Sequence, residues 1–158
     1  MIAHDIRSTH NVGSLFRTAD GAGVKKIFLT GYTPTPVDSY GKERGDIAKV
    51  ALGAEKAMPW EHKKSPVSVI KKLKSEGVYI VGLEQSEHSF PLHWFAKKKI
   101  SKEYAGIALI VGNEVQGVSK SLLKLCDILL EIPMHGEKES LNVSVAFGIA
   151  IYALAEAV

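Results

Sequence analysis

Three short polar segments carry most of the residues in this chain that could do chemistry. The first, residues 5–23, places Asn11, Gly13 and Arg17 at helical spacing, so that Gly13 and Arg17 would share one helix face. A glycine beneath an arginine would let a ligand approach the helix backbone. The alternative is a surface arginine near a helix cap, and spacing alone favours this second interpretation.

The second segment is a polar loop bounded by glycines, residues 112–117, which follows an apolar run ending at Val111. In open α/β sheets, ligands bind at the carboxyl ends of strands, so this loop is a candidate binding site. Glu114 would hold a hydroxyl or orient an arginine there; the alternative is an ordinary turn with a solvated carboxylate. The glycine spacing is that of a P-loop, but Val118 stands where the phosphate-binding lysine is required.

The third segment runs from an apolar strand ending at Pro133 into a helix that starts with Ser140, Asn142 and Ser144. Such residues are ordinary helix caps. Three small polar residues at the entrance of so apolar a helix nevertheless indicate a polar pocket.

Composition excludes several classes of protein. The chain has 158 residues, of which 46% are apolar and 23% charged, and these values are typical of one globular domain. The net charge of +3 permits a polyanionic partner without requiring one. Cys126 is the only cysteine, which excludes an intrachain disulfide and favours a buried inert thiol. The sequence has neither a dinucleotide fingerprint nor histidines at metal-ligand spacing, so we predict no metal.

The sequence contains no segment typical of secretion or membrane insertion. No basic region followed by a long apolar core opens the chain. The longest apolar run, 145–155, is shorter than the roughly 20 residues that a bilayer span needs. We therefore predict a cytoplasmic protein with no membrane partner.

Apolar runs alternate with helical patterns along the chain, which predicts an α/β fold. Two of the runs are continuous, as expected for a parallel sheet covered on both faces. The predicted strands are 27–29, 78–81, 107–111 and 128–132. The predicted helices are 12–19, capped by Thr9 or Asn11, then 67–74, then one capped by Ser119, and a last one from about Leu141 to the C-terminus.

The last of these helices is apolar on nearly every side over 145–155. A helix of this kind must be buried on most sides. We predict that it lies in a dimer interface; the alternative is an internal helix covered by its own chain.

Taken together, the three segments resemble the SpoU (TrmH-type) family of RNA ribose 2′-O-methyltransferases, within the SPOUT superfamily. The resemblance covers nearly the whole chain and rests on three motifs in order. They are residues 11–13 with 17–20, residues 112–114 with Gly117, and residues 132–134 with 140–144. The resemblance implies a mostly parallel α/β sheet flanked by helices, a deep trefoil knot near the C-terminus, and a homodimer.

The resemblance also implies that S-adenosylmethionine is the cofactor, held bent in the knotted loops. The residues expected to line its pocket are Leu83, Gly112, Ile132, Met134, Ser140 and Leu141.

The same resemblance makes Arg17 the expected catalytic residue, with Asn11, Glu114, Ser140 and Asn142 orienting it or the ribose. Arginine is almost always charged and is a poor base, so we interpret Arg17 as a clamp that favours the ribose alkoxide. In this family the arginine acts across the dimer, and no metal is needed.

For the chain as a whole, the resemblance predicts one catalytic domain over 1–158 without an N-terminal RNA-binding domain. RNA would then be recognised by the dimer surface, by Lys42, Arg44 and the 97–99 lysines, or by a partner protein. Compact relatives act on tRNA, which makes tRNA the first expected substrate and rRNA the second. The competing interpretations are a non-catalytic knotted RNA-binding relative and an unrelated α/β enzyme that binds a small nucleotide.

Overall fold

The computed structural model describes residues 1–95 and 104–156. Within these ranges the strands are β1 (Ile2–His4), β2 (Ile27–Thr30), β3 (Trp60–Lys63), β4 (Val78–Leu83), β5 (Phe90–Pro91), β6 (Gly106–Val111) and β7 (Ile128–Glu131). The helices are α1 (Thr9–Gly21), α2 (Gly45–Ala51), α3 (Ala54–Ala57), α4 (Pro66–Ser75), α5 (Leu92–Phe95), α6 (Lys120–Leu123) and α7 (Val143–Ala155).

All seven of these strands join one parallel sheet in the order β3-β2-β1-β6-β4-β7-β5. Consecutive residues of its central strands point to opposite faces, and each face has its own apolar core. Leu29, Val81 and Leu109 pack under α1, α2 and α7. Ile80 and Ile110 pack with α4 and α6 on the other face. The predicted α/β class with a mostly parallel sheet is confirmed.

The four predicted strands are confirmed because their apolar runs are covered on both faces. The prediction missed three strands that lack such a run. β1 is only three residues long although it lies in the middle of the sheet, and β3 and β5 lie at its two edges. No helix in the described part of the chain has the length and apolar character needed to cross a lipid bilayer.

Two helix starts differ from the prediction. Ser8, not Thr9 or Asn11, caps α1: its backbone is extended and its hydroxyl accepts a hydrogen bond from the amide of Asn11 at 3.3 Å. α7 begins at Val143 rather than at Leu141, and the side chain of Asn142 caps it. In both cases a residue with a non-helical backbone and a short polar side chain precedes the first residue of the helix, as N-capping requires.

Helix α7 is buried on one side only. Phe147, Ala150 and Leu154 face the core, whereas Val145, Ile149 and Tyr152 are 50%, 44% and 53% exposed. Within residues 1–95 and 104–156, this helix is therefore not covered on all sides, contrary to the alternative interpretation. The exposed apolar residues 145, 149 and 152 recur at helical spacing, and we call them the α7 stripe.

Gly13 serves the packing of α1 against α2 and not the approach of a ligand. A Cβ at this position would lie 2.7 Å from the carbonyl oxygen of Ile47 and 2.8 Å from Cβ of Val50. The space that the ligand interpretation of Gly13 required is thus occupied by a neighbouring helix.

We predict that Gly13→Ala forces these two helices apart and lowers the free energy of unfolding by about 1–3 kcal/mol, the usual cost of overpacking. Chemical denaturation measures the effect. Gly45→Ala is the matched control, because a Cβ at Gly45 meets no atom of the described chain within 4 Å. Equal stability of the two variants would contradict the packing role of Gly13.

Candidate active site

A cavity of about 240 Å³ opens beyond the carboxyl ends of β4, β6 and β7. Three stretches of chain line it: residues 83–85, residues 111–117, and residues between 131 and 146. All six residues predicted for the cofactor pocket lie in its wall: Leu83, Gly112, Ile132, Met134, Ser140 and Leu141. The structure therefore brings together segments that are far apart in sequence, at the edge of the sheet where α/β proteins bind ligands.

The loop at residues 112–117 is closed so tightly that glycine is needed at both of its ends. A Cβ at Gly112 would lie 2.4 Å from the backbone of Gly117, and Gly117 itself has a φ of +65°. The amide of Gly117 donates to the carbonyl of Asn113 at 2.9 Å and closes the turn. Glycine is required at both positions on these grounds, which explains a P-loop-like spacing without a phosphate site.

Glu84, which the sequence analysis did not select, fastens the end of this loop to β4. Its carboxylate accepts a hydrogen bond from the amide of Val118 at 2.7 Å. A Cβ at Gly117 would collide with the same carboxylate. The feature of the sequence that could have identified Glu84 is its position as a charged residue directly after a buried strand.

Glu114 is bound to the start of α1. Its carboxylate accepts hydrogen bonds from the amides of Arg7 and Ser8, at 3.0 and 3.1 Å, and from the side-chain amide of Asn11 at 2.9 Å. The interpretation of a simply solvated carboxylate is wrong. Within the described chain, the partners of the carboxylate are the backbone amides of Arg7 and Ser8 and the side chain of Asn11.

The pKa of Glu114 reflects these contacts. Burial by itself raises the pKa of the carboxyl, but the hydrogen bonds from Arg7, Asn11 and Ser8 outweigh burial and hold the pKa below its ordinary value of 4.5. Glu114 is therefore a carboxylate at neutral pH.

Asn11 extends the contact from Glu114 to the last helix. It is 7% exposed, and its side-chain oxygen accepts a hydrogen bond from the Asn142 side-chain amide at 3.2 Å. The side-chain oxygen of Asn142 accepts a hydrogen bond from the backbone amide of Ser144 at 2.9 Å. The chain Glu114–Asn11–Asn142 thus joins one residue from each of the three motifs, and we call it the motif bridge.

Arg17 lies apart from this bridge. It is exposed on α1, is not among the residues that line the cavity, and its side chain makes no hydrogen bond or ion pair with the described residues. Its neighbours on α1 approach α7. Thr18 lies 3.6 Å from where a Cβ of Gly148 would be, and the Tyr152 hydroxyl lies 3.1 Å from where a Cβ of Gly21 would be. Residues of α1 close to Arg17 in sequence therefore lie beside α7, the helix that carries the α7 stripe.

The structure also bears on Cys126, on candidate metal ligands and on the lysines at 97–99. Cys126 is partly buried, and burial raises the pKa of its thiol to about 11, which fits the prediction of an inert thiol. Among residues 1–95 and 104–156, no three histidine, cysteine or acidic side chains are grouped so as to hold a metal ion. The lysines at 97–99 lie outside the described residues.

The parallel sheet, with one cavity built from three loops at its carboxyl edge, defines an α/β ligand-binding domain. A family model described as the SpoU rRNA Methylase family matches residues 1–152. The chain belongs to this family.

The relatives are similar over almost the whole chain. A 23S rRNA (guanosine-2′-O-)-methyltransferase, RlmB of Escherichia coli, is 31% identical over 153 residues, which are 96% of this chain and 57% of the relative. A Neisseria meningitidis protein of the same name is 30% identical over 151 residues, which are 96% of this chain and 55% of that relative. The chain thus spans little more than half the length of the curated relatives it matches.

Solved structures agree with the fold. The A. aeolicus TrmH/SpoU tRNA modifying enzyme matches with a TM-score of 0.79 and 28% identity, over 98% of this chain and 72% of the other. An AdoMet-bound rRNA methyltransferase from Sinorhizobium meliloti matches with a TM-score of 0.82 and 25% identity, over 97% of this chain and 54% of the other.

We predict that Glu114→Gln lowers the free energy of unfolding at pH 7 by about 1–2 kcal/mol, because hydrogen bonds to a charged acceptor are replaced by weaker ones. The folded carboxyl has a lowered pKa, so its contribution is complete above 4.5 and is lost as the pH falls through the folded pKa. The difference between wild type and variant should therefore shrink below pH 4.5 in urea titrations.

The control for this experiment is Glu76→Gln, which removes an exposed carboxylate 4.0 Å from Lys72 on α4. We expect it to change stability by less than about 0.5 kcal/mol, as is usual for surface pairs. A stability difference for Glu114→Gln that does not vary with pH would contradict the role of its charge.

Proposed function

We propose that the protein is an S-adenosylmethionine-dependent methyltransferase that acts on a ribose 2′-hydroxyl of RNA. The observation that carries the proposal is one cavity lined by the second and third motifs, to which the motif bridge joins Asn11 of the first motif. The names of the relatives support it, since the E. coli protein is named as a guanosine 2′-O-methyltransferase and the S. meliloti structure as AdoMet-bound.

The cavity suits this cofactor chemically. Leu83, Ile132 and Met134 supply apolar surface for an adenine ring, and the carboxylates of Glu84 and Glu131 give the wall negative charge, which favours a sulfonium cation. When bound, S-adenosylmethionine supplies an electrophilic methyl group. Ser140 and Leu141 form the rim of the cavity and would hold the cofactor there.

In this proposal Arg17 is the catalytic residue. Its guanidinium binds the RNA backbone and stabilises negative charge as it develops on the 2′-oxygen. Asn11 and Asn142 orient the ribose, and Glu114 fixes Asn11 in place. Because Arg17 does not line its own cavity, we propose that it completes the cavity of a second subunit.

A homodimer formed through the α7 stripe fits both observations. Such a dimer covers the exposed side chains of Val145, Ile149 and Tyr152. Because α1 packs on α7, such a dimer would also bring the exposed Arg17 of α1 towards a partner. A two-fold axis would place the same patch of both chains in contact and create two equivalent sites.

We also propose that the chain threads itself into a trefoil knot, as the family resemblance implies. Two contacts support this path. The side chain of Gln85 donates to the carbonyl of Glu139 at 2.7 Å, so the loop before α7 passes beside the loop after β4. α7, which follows this loop, then packs on α1.

We rank rRNA before tRNA as the substrate, because the curated relatives described above are named 23S rRNA methyltransferases. These relatives do not support the prediction from sequence that tRNA is the first substrate, although the A. aeolicus neighbour is named a tRNA modifying enzyme. The cytoplasmic location stays a prediction from sequence.

The direct test is transfer of a labelled methyl group to rRNA and tRNA that were transcribed without modification, followed by digestion to nucleosides. We expect label in a 2′-O-methylnucleoside and in rRNA before tRNA. Label in a base would contradict the proposed acceptor, and RNA binding without transfer would favour a non-catalytic relative.

We predict that Arg17→Ala abolishes methyl transfer but leaves S-adenosylhomocysteine binding intact. Leu141→Arg is expected to abolish cofactor binding, because it places a cation in the wall of the cavity. Mixed dimers of these two inactive variants should regain about a quarter of the wild-type rate, since half of the dimers are mixed and each holds one complete site. No recovery would mean that Arg17 does not act across the dimer.

We predict that Ile149→Glu converts the dimer into a folded monomer, because a carboxylate in the middle of an apolar interface is strongly unfavourable. Light scattering gives the mass and circular dichroism the fold. Lys71→Glu, which adds a carboxylate on α4 on the other face of the sheet, should remain dimeric. A dimeric Ile149→Glu would show that the α7 stripe is not the interface.

A further inference from the structure

The loop after β2 contains a turn, residues 36–44, in which the ring of Tyr40 is exposed to solvent. Tyr40 is 93% exposed. The turn is ordered by its own hydrogen bonds. One carboxylate oxygen of Asp38 accepts from the amides of both Tyr40 and Lys42, each at 2.9 Å, and the amide of Arg44 donates to the carbonyl of Pro36 at 2.8 Å.

Further contacts fix the base of the turn. Val37 and Glu43 form an antiparallel bridge, and Gly41 has a φ of +79°, which favours glycine. Pro36 is buried. The Tyr40 ring is therefore presented by a preorganised structure, which keeps the entropic cost of binding a partner low.

The charge beside Tyr40 is positive. Lys42 is exposed, and its side chain makes no ion pair with a described residue. The Nε donor of Arg44 is buried without a hydrogen-bond partner in the described chain. The acidic groups of the turn are already engaged, since Asp38 binds backbone amides and Glu43 pairs with Lys56 at 2.9 Å.

This loop lies on the same edge of the sheet as the cavity. Tyr32, near its start, is 57% exposed, and its hydroxyl accepts a hydrogen bond from the side-chain amide of Asn113 at 2.5 Å. Asn113 lines the cavity. An RNA strand that reaches the cavity therefore has exposed aromatic and basic groups beside its path.

We propose that the 36–44 turn binds an unpaired nucleotide close to the methylated ribose, with a base stacked on Tyr40 and phosphates held by Lys42 and Arg44. An exposed aromatic ring beside basic side chains is the usual combination for single-stranded nucleic acid, because every base offers a face for stacking. The inference rests on the proposed function and adds to it the place and the strandedness of the RNA contact.

The test is the binding of a fluorescein-labelled single-stranded RNA of mixed sequence, measured by fluorescence anisotropy, with the same RNA annealed to its complement for comparison. We expect Tyr40→Ala to weaken single-strand binding about tenfold and Tyr40→Phe to leave it nearly unchanged, because stacking needs the ring and not the hydroxyl. Duplex binding should be weaker and less sensitive to either variant.

Charge is tested through the salt dependence of the same binding. Lys42→Ala should lower the slope of log K against log salt by about 0.7, the loss of one phosphate contact on a single strand. Lys71→Ala, the same charge change on α4, should leave the slope unchanged.

Variants of Asp38 distinguish the effect of its hydrogen bonds on the shape of the turn from the effect of its negative charge on RNA binding. Asp38→Ala removes a negative charge, which by electrostatics alone strengthens RNA binding, yet we expect weaker binding because the turn loses its brace. Asp38→Asn retains an acceptor oxygen and should bind at least as well as wild type. Stronger binding by Asp38→Ala would contradict the preorganised turn.

These measurements need neither cofactor nor turnover, so the inference and the proposed function can fail separately. Unchanged RNA affinity in Tyr40→Ala, or no binding of the single strand by wild type, overturns the proposed contact even if methyl transfer is observed. Tyr40-dependent binding without methyl transfer would retain the contact and contradict the enzyme activity.

Discussion

The carboxylate of Glu114 is the constraint on which the rest of the site depends. It follows β6, in the middle of the sheet, and ties the start of α1 to the glycine loop through two backbone amides and the side chain of Asn11. Asn11 in turn binds Asn142, the residue that starts α7. A single acidic residue thus sets the relative positions of the three motifs. Its lowered pKa shows that the protein stabilises the charged form it uses.

The two halves of the proposed chemistry lie on different surfaces of the chain. The cavity is formed by loops at the carboxyl edge of the sheet, whereas Arg17 is exposed on α1 and does not line the cavity. The proposed dimer would account both for the exposed apolar stripe and for the position of the proposed catalytic arginine outside its own cavity. In this account, assembly of two chains is part of forming the active site.

The sequence predicted those features that depend on local pattern. The strands 78–81 and 107–111 could be predicted because burial on both faces demands a continuous apolar run. Five of the six cavity residues belong to the three motifs, and Leu83 was expected from the family resemblance alone. β1 and β3 could not be predicted, since a three-residue strand and a polar edge strand have no periodicity of their own. The roles of Gly13 and Glu114 depend on which distant backbone lies beside them, and no local pattern contains that information.

The central claim is that the three loops form one site for S-adenosylmethionine, and calorimetric titration of the purified protein with S-adenosylhomocysteine tests it most directly. The account predicts saturable binding of one molecule per chain by a dimer, and the loss of that binding in Leu141→Arg with the dimer intact. A folded wild-type dimer that releases no heat of binding, with or without RNA present, would contradict it.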